Sequence, residues 1–458
     1  MVFSSILFIF RFLPISMVIY FLTPQRFRNF SLLILSLVFY SWGEPKYFIL
    51  MLASIFVDYF ISIAIEKNNK NKRIRIALLC ISIIFNIGIL FFFKYINFFI
   101  ENINSIFNMS LSYVKITLPL GISFYTFQTM SYTIDVFLKK VKPEKNIINF
   151  GAFVCLFPQL IAGPIVKYTD INKELKFRKV DLYVIQEGIK LFILGLSSKV
   201  LIANNIGSLW TEVEAMGFSN ISTILAWMGI VAFALQIYFD FSGYSLMAIG
   251  LGKMLGFNFP VNFNYPYESK SISEFWRRWH ITLGQWFKEY IYIPLGGNRV
   301  GIVRLYFNLF IVWFLTGFWH GASYNFILWG LYFFVLISVE KVGLLNFLNN
   351  KKFISHIYAI FFILIGWVLF AVVDLVQIQL LFKQMFSFNI GNEWIYYLRN
   401  YAVVFVVAII FSTSFPKRVY KKFIKNDVID TIIILIIFLL SIAYLVDSSY
   451  NPFLYFRF

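Results

Sequence analysis

Apolar stretches long enough to cross a lipid bilayer recur along the whole chain, and that recurrence constrains the fold more than any motif does. A spanning helix needs roughly 20 apolar residues. The stretches that qualify or come close are 4–22, 30–42, 47–65, 74–100, 116–137, 186–204, 221–252, 305–318, 325–339, 353–373, 397–411 and 429–445. Another, 147–166, is equally apolar but is broken by Pro158, Gly163 and Pro164. Broken backbone is tolerated at membrane depth only where protein or a wet cavity covers it, so this stretch is expected to be re-entrant. The chain is 60% hydrophobic and only 14% charged, against roughly 25% charged in an ordinary soluble domain. The expected fold class is all-α and integral to the membrane, a polytopic bundle of about eleven to twelve spans plus the re-entrant segment. It is expected to form one domain over residues 1–458. Residues 1–115 would give N-terminal spans, 116–340 a core including the cytoplasmic segment 253–304, and 341–458 the C-terminal spans.

A net charge of +18 would point to nucleic acid in a soluble protein. Here the cations cluster between apolar runs, as the positive-inside rule and anionic headgroups favour. With no soluble basic module, no nucleic-acid partner is expected; the lipid bilayer is. Cations crowd 66–75, 138–145, 167–179 and 416–425, and all four loops are expected in the cytoplasm. The middle two can share that side only if 147–166 enters and leaves by it. Segment 208–220 holds no Lys or Arg and is expected outside, as are both termini. Stretch 4–22 lacks a basic leader and a small-residue cleavage site and reads as a retained span. The aromatic tail 450–458 is a candidate docking surface. Cys80 and Cys155 sit in apolar runs without metal-ligand spacing, and read as buried small hydrophobes.

Chemistry has few places to reside. There are three histidines, His280, His320 and His356. Histidine can take a proton from a hydroxyl near neutral pH. His320 lies in Phe318-Trp-His-Gly-Ala322, at the turn of a hairpin whose first arm, 305–318, reads as short. That would put it within the membrane slab, where an ionisable residue is a functional candidate. His280 lies in Ser271-Ile-Ser-Glu-Phe-Trp-Arg-Arg-Trp-His280 and onward to Tyr290. Ser271 and Glu274 match a capping box, so a helix is expected to begin there, with Trp276, His280, Leu283 and Phe287 on one face. Read alone, that segment is an amphipathic interfacial helix. Arg277, Arg278, Lys288 and Arg299 add cations to the region and are candidates for a donor's phosphates, with headgroup contact an equal alternative. The turn Pro294-Leu-Gly-Gly-Asn-Arg299 could aim backbone N–H groups at a phosphate. Asp240, within a long apolar span, must be paired or protonated. It would either orient an imidazole or pair with an arginine. No P-loop, His-Glu-x-x-His or Gly-x-Ser-x-Gly is present, and no metal site is expected.

Taken together, the motifs resemble those of bacterial membrane-bound O-acyltransferases that acetylate alginate, peptidoglycan and related polysaccharides. They are Phe39-Tyr-Ser-Trp-Gly-Glu-Pro45, Leu118-Pro-Leu-Gly-Ile-Ser-Phe-Tyr-Thr-Phe-Gln128, Phe157-Pro-Gln-Leu-Ile-Ala-Gly-Pro164, Tyr238-Phe-Asp-Phe-Ser-Gly-Tyr244, Phe275-Trp-Arg-Arg-Trp-His280, Tyr292-Ile-Pro-Leu-Gly-Gly-Asn-Arg299 and Gly317-Phe-Trp-His-Gly-Ala322. The resemblance implies a central tunnel, His320 as the key catalytic histidine and His280 as the second. Asp240, Trp276 and Trp319 would support them. It also implies acetyl-CoA as a co-substrate with no bound cofactor, a polysaccharide acceptor and an acetyltransferase-type partner outside the membrane. The expected location is the bacterial cytoplasmic membrane. D-alanyl transfer to teichoic acid is an alternative within the family, and a lipid or glycan transporter is the rival outside it.

Overall fold

A computed structural model describes residues 2–161 and 163–447. The tail 450–458 and the two terminal residues, whose side of the membrane the sequence addresses, lie outside them. Among the described residues every regular element is helical. Nine helices among these residues have the length and composition to cross a membrane: Phe48–Lys67, Lys72–Lys94, Leu182–Met216, Thr223–Met254, Ile302–His320, Tyr324–Asn349, Lys352–Ala371, Glu393–Phe411 and Asp427–Asp447. The remaining expected spans fall on shorter helices: Phe8–Phe12 running on into Leu13–Leu22, then Arg28–Gly43 and Ile122–Phe137. The protein is an all-α, multi-pass membrane protein.

Several boundaries differ from expectation, each for a local reason. Span 116–137 becomes helical only at Ile122, because Gly121 adopts φ 72°. A Cβ on Gly121 would lie 2.5 Å from the Leu160 carbonyl oxygen, so glycine is required there. Run 74–100 breaks at Tyr95, between Lys72–Lys94 and Ile96–Phe107. The helix expected over 186–204 continues to Met216, which shortens the expected outer loop to a turn around Gly217. The hairpin arm expected over 305–318 is Ile302–His320, 19 residues. At 1.5 Å per residue it is about 28 Å long, enough to cross unaided. The short-arm reasoning for the depth of His320 therefore does not hold; His320 closes a full-length helix. Loops 167–179 and 416–425 contain helices Tyr168–Lys176 and Phe415–Phe423. The broken segment is two pieces, Ile147–Cys155 and Phe157–Leu160, neither long enough to cross. Cys155 is buried, but Cys80 is exposed.

The chain divides into two compact units. One comprises Met1–Phe192 with Met247–Pro260, the other Ile193–Leu246 with Val261–Phe458. Both invert the polarity of a soluble protein. Leu22 and Val303 are 79% and 81% exposed, on faces suited to acyl chains, while charged and polar groups lie inside. In the first unit Asp58 is fully enclosed and accepts hydrogen bonds from Ser82 Oγ, from Asn86 Nδ2 at 2.8 Å and from Thr133 Oγ1 at 3.1 Å. Arg178 donates to Tyr20 Oη at 2.8 Å and to Asn29 Oδ1 at 2.7 Å.

The second unit is built on the hairpin of Ile302–His320 and Tyr324–Val339. Small residues let these helices approach: a Cβ on Gly317 would lie 2.3 Å from the Phe326 carbonyl oxygen, and one on Gly330 2.4 Å from that of Trp313. Without a hydrophobic driving force in lipid, such close packing is what joins helices. Gly317→Ala should therefore lower the thermal midpoint in detergent, consistent with an overpacking cost of about 1–3 kcal/mol. Gly284→Ala is the control, since its Cβ would meet nothing closer than the Trp276 carbonyl oxygen at 3.9 Å. Equal midpoints for the two variants would contradict the packing account.

Candidate active site

Helix formation begins at Ser271 as expected: its hydroxyl accepts from the Glu274 N–H at 3.0 Å. Glu274 does not complete the box reciprocally; its carboxylate accepts instead from the Lys270 N–H at 2.9 Å. A second cap comes from far along the chain. The buried carboxylate of Glu340 accepts from the N–H groups of Ile272 and Ser273 at 2.6 and 2.9 Å. The helix then stops at Arg278 and a second one begins at Ile281. His280 sits in the break with φ 43°, so the continuous helical face expected from Trp276 to Phe287 is not formed. A non-glycine residue in this left-handed region costs about 1–2 kcal/mol. Such strain concentrates at functional positions.

The break is repaired by the extended segment before it. The Asn264 N–H donates to the Arg278 carbonyl and the Ile281 N–H donates to the Asn262 carbonyl, both at 2.9 Å. The Asn262 side chain reaches the same place. Its Oδ1 accepts from the Thr282 N–H at 3.2 Å and from Thr282 Oγ1 at 2.9 Å, and lies 3.1 Å from His280 Nδ1. His280 is buried, and its ring meets Phe241 edge-on with centroids 4.8 Å apart. It lies outside the long apolar helices. Burial without a counter-charge pushes its pKa down to about 3, so the ring is neutral at physiological pH.

His320 ends its helix, buried in a wall of aromatic rings. Trp319, Trp329 and Phe370 have centroids 5.0, 5.0 and 5.1 Å from its own, all in edge-on arrangements. Trp319 also lies 6.3 Å from the His280 ring. One tryptophan thus neighbours both histidines, which are 40 positions apart in sequence (320 against 280). Trp276 packs within the same unit against Trp313, Trp329 and Phe333. His356 is elsewhere, exposed, with Nδ1 at 3.2 Å from the Ser269 carbonyl oxygen.

Asp240 pairs with Lys199 at 2.7 Å, with both side chains 2% exposed; the oxygen facing His280 Nδ1 belongs to Asn262. Lys199 stands in the π-helical turn Ser198–Ala203, a local widening of the helix. Arg278 is committed to Glu274 at 2.8 Å and lies 3.8 Å from Glu268. Lys288 and Arg299 are exposed. Arg277 lines a cavity of about 330 Å³ together with Lys270, Glu274 and Lys352. The glycines of 294–299 do not aim N–H groups at a ligand. Gly296 and Gly297 take φ 108° and 56°, and their N–H groups donate to the carbonyls of Ile293 and Tyr292.

Over residues 138–376, just more than half of the chain, the sequence matches the membrane-bound O-acyltransferase family. The chain belongs to that family. It is an O-acyltransferase. It is 40% identical over 397 residues to the probable alginate O-acetylase AlgI of Pseudomonas aeruginosa, covering 85% of this chain and 75% of that protein. It is 35% identical over 433 residues to the peptidoglycan O-acetyltransferase of Helicobacter pylori, covering 85% and 80%. Similarity to the teichoic acid D-alanyltransferase of Bacillus subtilis is lower, 29% over 251 residues, covering 51% and 61%.

Three residues of this acyltransferase's candidate site escape motif reading. Asn262, Lys199 and Glu340 act on partners 18, 41 and 68 positions away, as the residue numbers give. The signal in the sequence was only that a buried histidine and a buried carboxylate each need a partner. The Lys199–Asp240 pair can be tested as a structural unit. Lys199→Met or Asp240→Leu alone should lower stability by about 3–5 kcal/mol, because each strands a buried charge. The double variant should regain most of the loss in thermal midpoint. Additive losses in the double variant would contradict a pair that serves mainly to neutralise itself.

Proposed function

We propose that the acyltransferase moves an acyl group, acetyl in the first instance, from a cytoplasmic thioester to a hydroxyl of an exported cell-surface polysaccharide. An extracytoplasmic partner that acylates the glycan is the other possible recipient. The observation that carries this reading is the pair of buried histidines that share the aromatic ring of Trp319. His320 acts as general base. It takes the acceptor hydroxyl's proton as the oxygen attacks the thioester carbonyl; the C–S bond breaks, and the proton passes to the departing thiolate. His280 is less suited to hold that proton, because burial keeps its imidazolium from forming. It is assigned to positioning the donor. The aromatic walls exclude water, which would otherwise hydrolyse the thioester.

Acetyl-CoA enters as a co-substrate in this reading, and no resident cofactor is invoked. Its phosphates find the most support at Arg277, which shares its cavity with Lys270 and Lys352. Arg278 is the least available of the four expected cations because its charge is already paired. The names of the alginate- and peptidoglycan-acetylating relatives favour acetyl transfer to a polysaccharide over D-alanyl transfer, which has a match over only half the chain. The proposed location is the bacterial cytoplasmic membrane.

The test is transfer of labelled acetyl from acetyl-CoA to surface glycan in membranes, comparing wild type with His320→Ala at matched protein levels. Transfer should fall at least about 100-fold, the usual contribution of a positioned base. Equal transfer would remove His320 from the mechanism. No transfer in the wild type would reject acetyl-CoA as donor.

A further inference from the structure

The hydrogen bonds around Asn262 determine which nitrogen of His280 carries its proton. A backbone N–H can only donate. The Asn262 atom that receives the Thr282 N–H at 3.2 Å is therefore the carboxamide oxygen, which settles the orientation of an otherwise ambiguous amide. That oxygen lies 3.1 Å from His280 Nδ1. An oxygen without a hydrogen cannot donate to nitrogen, so Nδ1 must donate to it. The ring is neutral and carries one proton, so Nε2 bears a lone pair. His280 is 2% exposed, and its Nε2 has no hydrogen-bond partner among the described residues. Asn262 is 1% exposed, and its Nδ2 likewise has none. A buried polar atom without a partner costs about 1–3 kcal/mol. Here an acceptor and a donor of this kind stand on two side chains already bonded to each other.

We infer that Asn262 is a positioning residue for acyl transfer: it holds His280 in the Nδ1–H form, leaving Nε2 to accept a hydrogen bond from an O–H or N–H of the bound substrate. The nitrogen without a proton suits a substrate group that donates a hydrogen bond, as hydroxyls and secondary amides do. This rests on the reading of His280 as a site residue. It is separable from that reading, because tautomeric state can be measured without turnover.

The experiment is solid-state NMR of the full chain in liposomes with 13C,15N-labelled histidine. With only three histidines, the His280 signals are assigned by their loss in His280→Gln. The expected wild-type pattern is a neutral ring protonated at Nδ1 alone, unchanged between pH 5 and 8. A ring protonated at Nε2 would overturn the inference from the wild-type spectrum alone, even if Asn262 variants do not fold. In folded Asn262→Leu the Nδ1–H pattern should be lost and acetyl transfer should fall about tenfold or more, the worth of one oriented hydrogen bond. Asn262→Asp keeps the acceptor oxygen and should retain the proton on Nδ1. Full transfer by Asn262→Leu, with His320→Ala inactive, would overturn the positioning role while leaving the acyltransferase reading intact. A correct tautomer with His280→Gln as active as wild type would overturn it too, by removing His280 from the reaction.

Discussion

A helix interrupted where its backbone is buried must find partners for the N–H and C=O groups it frees. In this acyltransferase the interruption lies between Arg278 and Ile281, and two hydrogen bonds from the extended segment at Asn262 and Asn264 close it. The rest of the candidate site follows from that repair. The break turns the His280 backbone into a left-handed conformation, and the repairing segment brings the Asn262 carboxamide to the imidazole. The Glu340 carboxylate holds the other end of the same short helix. Backbone accounting and the chemistry of the site are thus met by the same residues.

The second unit shows how a lipid-facing protein spends its polar groups. Helix Glu393–Phe411 has only 11% of its spanning window buried, whereas Thr223–Met254 has 78% and carries Asp240. A carboxylate on a face open to lipid would be far costlier than one paired with Lys199 inside. Likewise the glycines of the Ile302–His320 hairpin admit a close approach that larger side chains would forbid. That approach helps set His320 among Trp319, Trp329 and Phe370.

Much of this was legible in the sequence, because the physics involved is local. Hydrophobic length located the helices, and Ser271 with Glu274 marked a helix start that is present. The motifs around His280 and His320 pointed to a family to which the chain does belong. What was not legible depends on pairings distant in sequence. Periodicity carries the helix through His280, because nothing between Trp276 and Leu283 resembles a breaker; the break exists because residues 262–264 can satisfy it. The same holds for Asp240, where the need for a partner was evident but its identity as Lys199 was not. The glycines at 294–299 form a turn, as most such sequences do. Their N–H groups are consumed by the turn itself, while Asn308 Nδ2 donates to the Leu295 carbonyl at 3.2 Å.

The central claim is that acyl transfer occurs where His280 and His320 share Trp319. The most direct measurement is photolabelling with a thioester donor whose acyl group carries a diazirine, followed by mass-spectrometric mapping of the modified residues. The account predicts modification of Trp319 or of residues touching the His280 and His320 rings, suppressed by excess acetyl-CoA. Competable labelling confined to positions remote from both histidines would contradict it.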